Sequence, residues 1–254
     1  MDTNAGQGMM TTPDYQRFRR QVDQWQPELV REVFRQHQHL IRVKKEEVAL
    51  ERLAMIFRSA LDISNRKGFK SMSVRDLSDT TGISMGALYG YIDSKDGLLD
   101  MIMAYGSTAA RWAVRVPEDV ATARERLDWV LRAHLYLSEV MLPWFFFAFM
   151  EARHFSQRAR EQAMDSELWM EQLISECLAA GNASGEFRVQ QPELAGALIK
   201  SLLQDWYLKR WKYRRRGLDV EAYARTVMEF IEAWVLAQRA PGQKTSERQS
   251  AEET

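Results

Sequence analysis

The sequence predicts an all-α fold in which a small helical domain is followed by a larger one. Three observations support this prediction. The 254 residues include only 13 glycines and 6 prolines, so residues that break helices are sparse. Apolar residues recur every three or four positions, and runs that alternate apolar and polar residues are absent. Hydrophobic residues make up 46% of the chain, which is enough for a substantial core.

Residues 1–45 are expected to form a partly helical extension. Phe18, Val22 and Trp25 lie on one stripe of a helix. Pro27 follows this stripe and is expected to open a second helix, because proline suits the first turn of a helix. The sequence therefore predicts two helices ahead of the first domain.

Residues 46–99 are expected to hold three helices. The first ends at Gly68, since a glycine commonly terminates a helix. Its apolar residues at helical spacing are Leu53, Ile56, Ala60 and Ile63. The second starts where the Ser-x-x-Asp pattern of Ser73 and Asp76 resembles a capping box, and it should stop around Thr80.

A tight turn and a third helix follow. Gly82 can adopt the positive φ that a turn needs, and Ser84 can cap a helix over 85–92. Leu88 and Ile92 would face inward. The outer side is left with mostly small side chains, and such a surface can approach the major groove of DNA closely. The residues on or near this side are Ser84, Met85, Gly86, Ala87, Tyr89, Gly90 and Tyr91.

Residues 73–95 resemble the helix-turn-helix motif of the tetracycline-repressor (TetR) family. The similarity runs from Ser-Val-Arg-Asp at 73–76, through Gly-Ile-Ser-Met-Gly-Ala-Leu-Tyr at 82–89, to Ser-Lys at 94–95. It implies a DNA-binding domain. Gly90 departs from the family pattern because a larger side chain often occupies that position, so a possible base or phosphate contact is lost there.

The resemblance also implies the DNA contacts of individual residues. Phosphate contacts are implied for Ser73, Ser84, Tyr89, Tyr91 and Lys95. Base or backbone contacts are implied for Arg75, Met85, Gly86 and Ala87. This division agrees with the general pattern in which many polar groups position a protein on the duplex and few reach the bases. Outside such a motif, the two tyrosines would be half-buried packing residues and the lysine a solvated charge.

The basic end of the extension has two interpretations. Arg42, Lys44 and Lys45 lie just ahead of the first motif helix, where they can touch the DNA backbone. Alternatively, the extension is an accessory helix that packs on the body or on a second subunit, with a solvated basic edge. The aromatic residues favour packing and leave the role of the basic arm open.

Residues 100–240 are expected to form a helical domain for ligand binding and dimerisation, followed by a disordered tail over 241–254. The expected helices span 94–117, 121–141, 144–150, 156–180, 192–213 and 219–238. The first of these joins the two domains and can act as a lever. The fourth is expected to end at Gly181.

The larger domain is rich in aromatic and thioether side chains, as many small-molecule pockets are. The candidate ligand contacts are Trp112, Trp129, His134, Phe146, Phe149, Met150, Trp169, Leu173, Cys177 and Trp206. The same residues would also suit a packed core. The family resemblance implies that the effector is a lipophilic compound or an acyl thioester such as an acyl-CoA. The basic residues within 209–216 slightly favour the thioester, although a favourable interaction with a helix dipole also explains them.

The last two helices carry apolar stripes too broad to cover each other. The stripes consist of Leu198, Ile199, Leu202, Leu203 and Trp206, and of Tyr223, Val227, Met228, Ile231, Trp234 and Val235. In the TetR fold these helices pair with the same helices of a second subunit as a four-helix bundle. Such a homodimer would bind an inverted-repeat DNA operator. The alternative is that the stripes serve only the core of one chain.

Charge and cysteine content narrow the setting. The formal net charge is zero, so DNA binding must rest on a local basic patch. The single cysteine, Cys177, excludes an intrachain disulfide and suits the reducing cytoplasm. No secretory leader opens the chain, and its longest apolar run, 141–150, is too short to cross a bilayer. We therefore expect a cytoplasmic protein that has no membrane partner.

These patterns predict a ligand-responsive transcriptional regulator, most simply a repressor. We expect no cofactor, no metal and no catalytic residue. The four histidines, His37, His39, His134 and His154, lack metal-ligand spacing, and Cys177 has no evident activating partner. The alternative function on the same fold is a ligand-independent architectural DNA-binding protein, which would lack a cavity.

Overall fold

The computed structural model describes residues 14–237, which form eleven α-helices and no strand. The helices are α1 (Tyr15–Gln36), α2 (Glu46–Lys67), α3 (Val74–Thr81), α4 (Met85–Leu88), α5 (Lys95–Ala113), α6 (Ala123–Val140), α7 (Leu142–Met150), α8 (Gln157–Ser184), α9 (Pro192–Leu208), α10 (Arg210–Arg215) and α11 (Val220–Ala237). The all-α prediction is confirmed. The tail expected at 241–254 lies outside the described residues.

Helix α1 is one continuous helix, so the prediction that Pro27 opens a second helix is wrong. The proline removes one N–H donor from the helix interior. Buried side chains on both sides of it, from Phe18 to Phe34, compensate by packing against α2, α5 and α6. This contact agrees with the accessory-helix interpretation, with the helix packed on the body of its own chain.

Helices α2, α3 and α4 form the predicted helix-turn-helix. Helix α2 ends at Gly68, which has a φ of 86°. The capping box before α3 is present, because the Ser73 side chain accepts the Asp76 N–H and the Asp76 side chain accepts the Ser73 N–H. Gly82 makes the turn with a φ of 69°, and the Ser84 side chain caps α4. The local signals in the sequence therefore predicted this unit correctly.

Helix α4 is shorter than predicted, since it ends at Leu88 and not at Ile92. The N–H of Gly90 donates to the carbonyl of Ala87, and the N–H of Tyr91 donates to the carbonyl of Leu88, each at 2.9 Å. These bonds reach back three residues instead of four, so the chain tightens into a turn after one helical turn.

Helix α8 is longer than predicted. It passes through Gly181, the predicted end, and stops at Gly185, which has a φ of 79°. Gly181 has a packing role instead. A Cβ at that position would lie 1.9 Å from the ring of Phe187, so only glycine allows this close approach.

Helices α9 and α11 pack mainly on α8 and α6, respectively. The single helix predicted over 192–213 is interrupted at Lys209 and forms α9 and α10. The close contact of α9 with α8 requires Gly196, where a Cβ would lie 2.2 Å from the Ser175 hydroxyl oxygen and 2.8 Å from the Glu171 carbonyl.

The apolar helix α7 turns sharply away from α6. Trp144, Phe145 and Phe147 of α7 are buried. Helices α6 and α7 reach the length and hydropathy of a membrane span only as a pair, and the pair is bent by 92°. Within 14–237, no single helix is long and apolar enough to cross a membrane.

Candidate DNA-binding surface and ligand cavity

The start of α4 presents an exposed surface with small side chains. Ser84, Gly86 and Ala87 are exposed, and Met85 is 50% exposed. The Ser84 hydroxyl accepts the Ala87 N–H at 3.3 Å, which leaves its own proton available to an acceptor. Nothing lies within 4 Å of a Cβ placed on Gly86. This surface is therefore open to a partner such as a DNA groove.

The opposite side of α4 anchors this surface to the core. Leu88 of α4 and Ile92, which follows the turn after α4, are fully buried, and Ile83 in the turn before α4 is buried with Leu77 of α3. These are the inward residues that the sequence predicts. The exposed surface is thus held on a packed helix pair, as a reading surface must be if it is to keep one geometry.

Gly90 joins the N-terminal extension to the helix-turn-helix. Its carbonyl accepts the backbone N–H of Arg42 at 2.8 Å. A Cβ on Gly90 would lie 3.3 Å from a methyl carbon of Val43 and 3.0 Å from the Ala87 carbonyl. The small residue at this position, which the sequence suggested as a lost DNA contact, thus has a packing explanation.

Tyr91 and Lys95 differ from the outward placement that the motif implies. Tyr91 is only 8% exposed and belongs to the core, so its expected position on the outer side is wrong; Tyr89, at 47%, does point outward. The Lys95 ammonium donates to the carbonyls of Lys70 and Met72, at 2.9 and 3.0 Å. Burial lowers the pKa of Lys95. One ammonium hydrogen remains for a phosphate.

Ser73 is also engaged within the chain. Its hydroxyl donates to the Asp76 carboxylate at 2.6 Å, and Lys67 contacts the same carboxylate at 2.7 Å. These hydrogen bonds, that of Lys67 first, hold the pKa of Asp76 well below its usual range. Arg75, by contrast, is exposed. Of the two, Arg75 is the side chain free to reach a nucleic acid.

Five exposed basic residues lie in the helix-turn-helix or on the segments beside it. They are Arg42, Lys44, Lys45, Lys70 and Arg75. None of the five has an ion-pair partner among the described residues. The neutral chain therefore contains the local positive charge that a DNA contact needs.

An apolar cavity of about 240 Å³ lies in the larger domain. Helices α5 to α9 line it, and the hydrophobic part of the wall includes Met103, Trp144, Phe145, Met164 and Met170. His134, Phe149 and Trp169 from the predicted ligand set also line it.

One end of the cavity is polar. The buried Lys200 ammonium contacts both carboxylate oxygens of Glu167, at 2.8 and 2.9 Å, and Gln204 also contacts Glu167. Neither ring nitrogen of His134 has a hydrogen-bond partner in the described structure. Burial and then the nearby Lys200 lower the pKa of His134 well below its usual value, so the imidazole is neutral. Burial also lowers the pKa of Lys200, although Glu167 opposes this effect.

The other seven residues of the predicted ligand set lie outside this cavity. Trp206 is buried in a stack with Tyr213 and Tyr223, and its indole N–H donates to Glu139 at 3.0 Å. Cys177 is buried, and burial raises the pKa of its thiol. The remaining five are Trp112, Trp129, Phe146, Met150 and Leu173. Trp112 and Trp129 line a separate groove beneath α1.

The polar cavity residues Lys200, Glu167, Gln204 and Tyr207 were missed by sequence reasoning. A signal for Lys200 was present. It follows Gly196 by four residues and precedes Tyr207 by seven, so all three share one stripe of α9. A lysine on a buried stripe needs an internal partner, and Glu167 on α8 is that partner.

Much of the basic cluster within 209–216 is used inside the chain. Arg210 forms a two-point ion pair with Glu139, at 2.9 and 3.0 Å. Lys209 and Lys212 contact Asp205. Burial acts to raise the pKa of Asp205, but hydrogen bonds from Lys212, Tyr213 and Lys209 lower it to about 2. The cluster does not line the cavity.

The fold and these two sites define a class of protein. A helix-turn-helix with an exposed reading surface is joined by one long helix, α5, to a helical domain with an apolar cavity. This is the arrangement of a DNA-binding transcriptional regulator with a ligand-binding domain. No group of three or more His, Cys, Asp or Glu residues suited to a metal ion occurs within 14–237.

Two family models identify the family. Residues 56–102 match the model of bacterial regulatory proteins of the tetR family, and residues 120–235 match the tetracyclin repressor-like C-terminal domain. The two matches together cover more than half of the chain. The chain therefore belongs to the TetR family of transcriptional regulators, as its helix-turn-helix motif predicted.

Solved structures share the fold. A regulatory protein of the tetR family from Rhodococcus superposes with a TM-score of 0.65 at 22% identity, over 72% of this chain and 96% of that one. The TetR-family regulator PfmR from Thermus thermophilus gives 0.61 at 26% identity, over 72% and 99%. FadR from Bacillus subtilis, solved in complex with stearoyl-CoA, gives 0.57 at 20% identity, over 70% and 97%. No protein with a curated function matches the sequence.

Proposed function

We propose that this regulator is a repressor that binds an inverted-repeat operator as a homodimer and leaves it when a small lipophilic molecule fills the cavity. The position of α5 is the observation that carries this proposal. At its first residue, Lys95 holds the loop before α3 through the carbonyls of Lys70 and Met72. Further along, Met103 and Ala110 line the cavity. One rigid helix thus touches both sites.

The proposed reading surface is the exposed start of α4. Met85, Gly86 and Ala87 would approach the bases in the major groove, while Ser84 and Tyr89 would bind phosphates. Arg75 contributes from α3. Ser73 and Lys95 retain limited hydrogen-bonding capacity for a phosphate, and the buried Tyr91 supports the surface through packing.

The basic arm extends this surface. The hydrogen bond from the Arg42 N–H to Gly90 places Arg42, Lys44 and Lys45 beside the C-terminal end of α4. We propose that these three side chains bind the DNA backbone next to the groove that α4 enters. The packed helix α1 then serves to hold the arm in place.

The proposed dimer uses the exposed apolar side chains of α9 and α11. Leu194 and Leu198 lie four residues apart on α9 and are 55% and 59% exposed. Phe230 on α11 is 63% exposed, and Leu236 is 58% exposed. Of these four side chains only Leu198 belongs to a predicted apolar stripe, and the other stripe residues are buried or half-buried within the chain. The four exposed side chains lack cover in the described chain. A two-fold bundle of α9 and α11 would cover it and present two α4 helices roughly 34 Å apart.

The effector is proposed to be lipophilic because most of the cavity wall is apolar. The structural neighbour FadR is in complex with stearoyl-CoA, and this resemblance of fold keeps an acyl thioester as a candidate. The basic cluster does not add to that candidate, since it lies outside the cavity wall. We place the regulator in the cytoplasm, where bacterial operators are.

Release requires that the ligand prefer one conformation. A ligand can shift the DNA-binding equilibrium only by the difference between its affinities for the competent and incompetent states. Because α5 lines the cavity and braces the helix-turn-helix, a ligand that moves α5 changes the spacing of the two α4 helices. We propose that the empty cavity corresponds to the DNA-binding state.

Fluorescence anisotropy with labelled DNA from the region upstream of the gene tests the proposal. We expect tight, saturable binding with two subunits per inverted repeat and weaker binding when ligand is added. Equal affinity for scrambled DNA would refute site-specific binding. Unchanged affinity across a panel of ligands that demonstrably bind would support the architectural alternative, which the presence of a cavity disfavours.

A further inference from the structure

We propose that the cavity binds a small apolar monocarboxylate, with the carboxylate at the polar end formed by His134 and Lys200. This inference rests on the proposed function, because it names the chemical class of the effector. The apolar walls would take the body of the ligand, and the polar end would take its single negative charge.

The charge of the lining favours one anionic group. Lys200 is 2% exposed, and its only ion-pair partner in the described chain is Glu167. The Glu167 side chain is 36% exposed, so it reaches the lysine from the rim. Arg160 also lines the cavity and donates to the carbonyl of Arg153, a neutral group. Among the residues that line the cavity, Lys200 and the exposed Arg160 are cations and Glu167 is an anion, so the lining carries one more positive than negative charge. Glu171 also acts on Lys200 electrostatically, from outside the lining.

His134 supplies unused hydrogen-bonding capacity at the same end. It is 4% exposed, both ring nitrogens lack a partner, and its ring packs edge-on against Phe145 at 5.4 Å between centroids. A neutral imidazole has one N–H donor and one acceptor nitrogen. Buried polar groups in proteins are normally hydrogen-bonded, so two unpartnered nitrogens on a residue that lines the cavity indicate a missing partner.

A carboxylate meets both requirements. One oxygen can accept from the His134 N–H, and the other can accept the hydrogen of the Lys200 ammonium that Glu167 does not use. An alcohol could form a hydrogen bond but would leave the excess charge in place. An amine would add a like charge beside Lys200 and Arg160. The chemistry of the polar end of the cavity therefore favours a carboxylic acid as the ligand.

The cavity is partly open to solvent, so its volume indicates the size of the part of the ligand that it encloses. About 240 Å³ exceeds the roughly 150 Å³ of a cavity that accepts benzene. It lies below the roughly 300–1,000 Å³ of sites for drug-sized ligands. A body on the order of ten to fourteen non-hydrogen atoms fits this range, such as a medium-length chain or two fused rings. The nucleotide portion of an acyl thioester would have to remain outside.

Isothermal titration calorimetry with matched ligands tests the assignment. The ligands are decanoate, decanol and decylamine, with 2-naphthoate and 2-naphthol as an aromatic pair. At pH 7.5 we expect each acid to bind at least about tenfold more tightly than its alcohol, and we expect the amine to bind most weakly. Equal binding of acid and alcohol, or the tightest binding by the amine, would overturn the proposal.

Variants locate the effect. Lys200→Met should reduce the preference for the acid to about threefold or less while leaving the affinity for the alcohol nearly unchanged, and His134→Phe should weaken acid binding about tenfold. Lys209→Met is the control, because Lys209 is 58% exposed, pairs with Asp205 and does not line the cavity. If Lys200→Met kept the full acid preference, the proposed site would be wrong.

A second measurement uses only the wild-type protein, so it does not depend on whether a variant folds. In the full-length wild-type protein with ¹⁵N-labelled histidine, decanoate should shift the ring resonances of one buried histidine and raise its pKa, whereas decanol should not raise it. A pKa that stays unchanged would contradict the contact with His134. If decanol released the protein from DNA at the same concentration as decanoate, the carboxylate assignment would fail and the proposed function would stand. If decanoate bound without changing DNA affinity, the carboxylate assignment would stand and the proposed function would fail.

Discussion

Gly106 is the point where α5 meets the wall of the cavity, and Gly106→Ala should destabilise the protein. A Cβ at this position would lie 1.9 Å from the ring of Trp144. The ring cannot move freely, because its indole N–H donates to the carbonyl of Ile102 at 2.8 Å and the side chain is buried. Either α5 or Trp144 must therefore shift.

The size of the effect follows from three contributions. Overpacking a buried contact costs about 1–3 kcal/mol. Displacing Trp144 weakens its hydrogen bond, which contributes about 1 kcal/mol. Alanine favours a helix interior over glycine by about 1 kcal/mol, which acts in the opposite direction. The net expectation is a loss of about 1–3 kcal/mol in the free energy of unfolding.

Urea unfolding at a fixed protein concentration measures this loss, since stability depends on concentration if the protein dimerises. Gly86→Ala is the matched control. It makes the same substitution in α4, where nothing lies within 4 Å of the added Cβ, so its stability should equal or slightly exceed that of the wild type. A Gly106→Ala protein as stable as the wild type would refute the argument that Trp144 and α5 are tightly coupled.

Three further predictions concern DNA binding, dimerisation and acid stability. Lys95→Ala should weaken binding to all DNA sequences. It should also reduce the slope of log affinity against log salt concentration by about 1, measured by anisotropy at several salt concentrations. An unchanged slope would exclude a phosphate contact. Leu198→Glu combined with Phe230→Glu should yield a monomer in sedimentation velocity, whereas Leu168→Glu, at a side chain 57% exposed on α8, should not. A dimer that survived the double change would mean that α9 and α11 are not the interface. Asp205 has a pKa lowered to about 2, so its stabilising contribution is present above its ordinary value of 3.8 and is lost as pH falls toward 2. The stability difference between wild type and Asp205→Asn should accordingly shrink over that range, and a constant difference would contradict the assignment.

The sequence predicted the helix-turn-helix well because its signals are local. The Ser73 and Asp76 capping box, Gly82 in the turn and the Ser84 cap each depend on residues within a few positions of one another. Tyr91 shows the limit of such signals. Its neighbours suggested the outer side, but the early end of α4 turns the chain and places the side chain in the core.

Glycines were harder to interpret, because the same residue can end a helix or permit a close contact. Gly68, Gly82 and Gly185 have positive φ and end helices. Gly181 does not end a helix. It lies inside α8, where the absence of a side chain provides room for Phe187. The two roles can be distinguished only by knowing which helix or loop packs against the glycine. That neighbour is set by tertiary packing, which the local sequence does not contain.

The cavity was the least predictable feature for the same reason. Aromatic residues are favoured equally by a core and by a ligand site. Trp206, which seemed a ligand contact, is buried in a stack with its indole N–H already bonded to Glu139. His134 differs from it in one respect, because both of its ring nitrogens remain without a partner. Unused hydrogen-bonding capacity beside an open volume, more than aromatic content, is what marks a residue as a candidate ligand contact here.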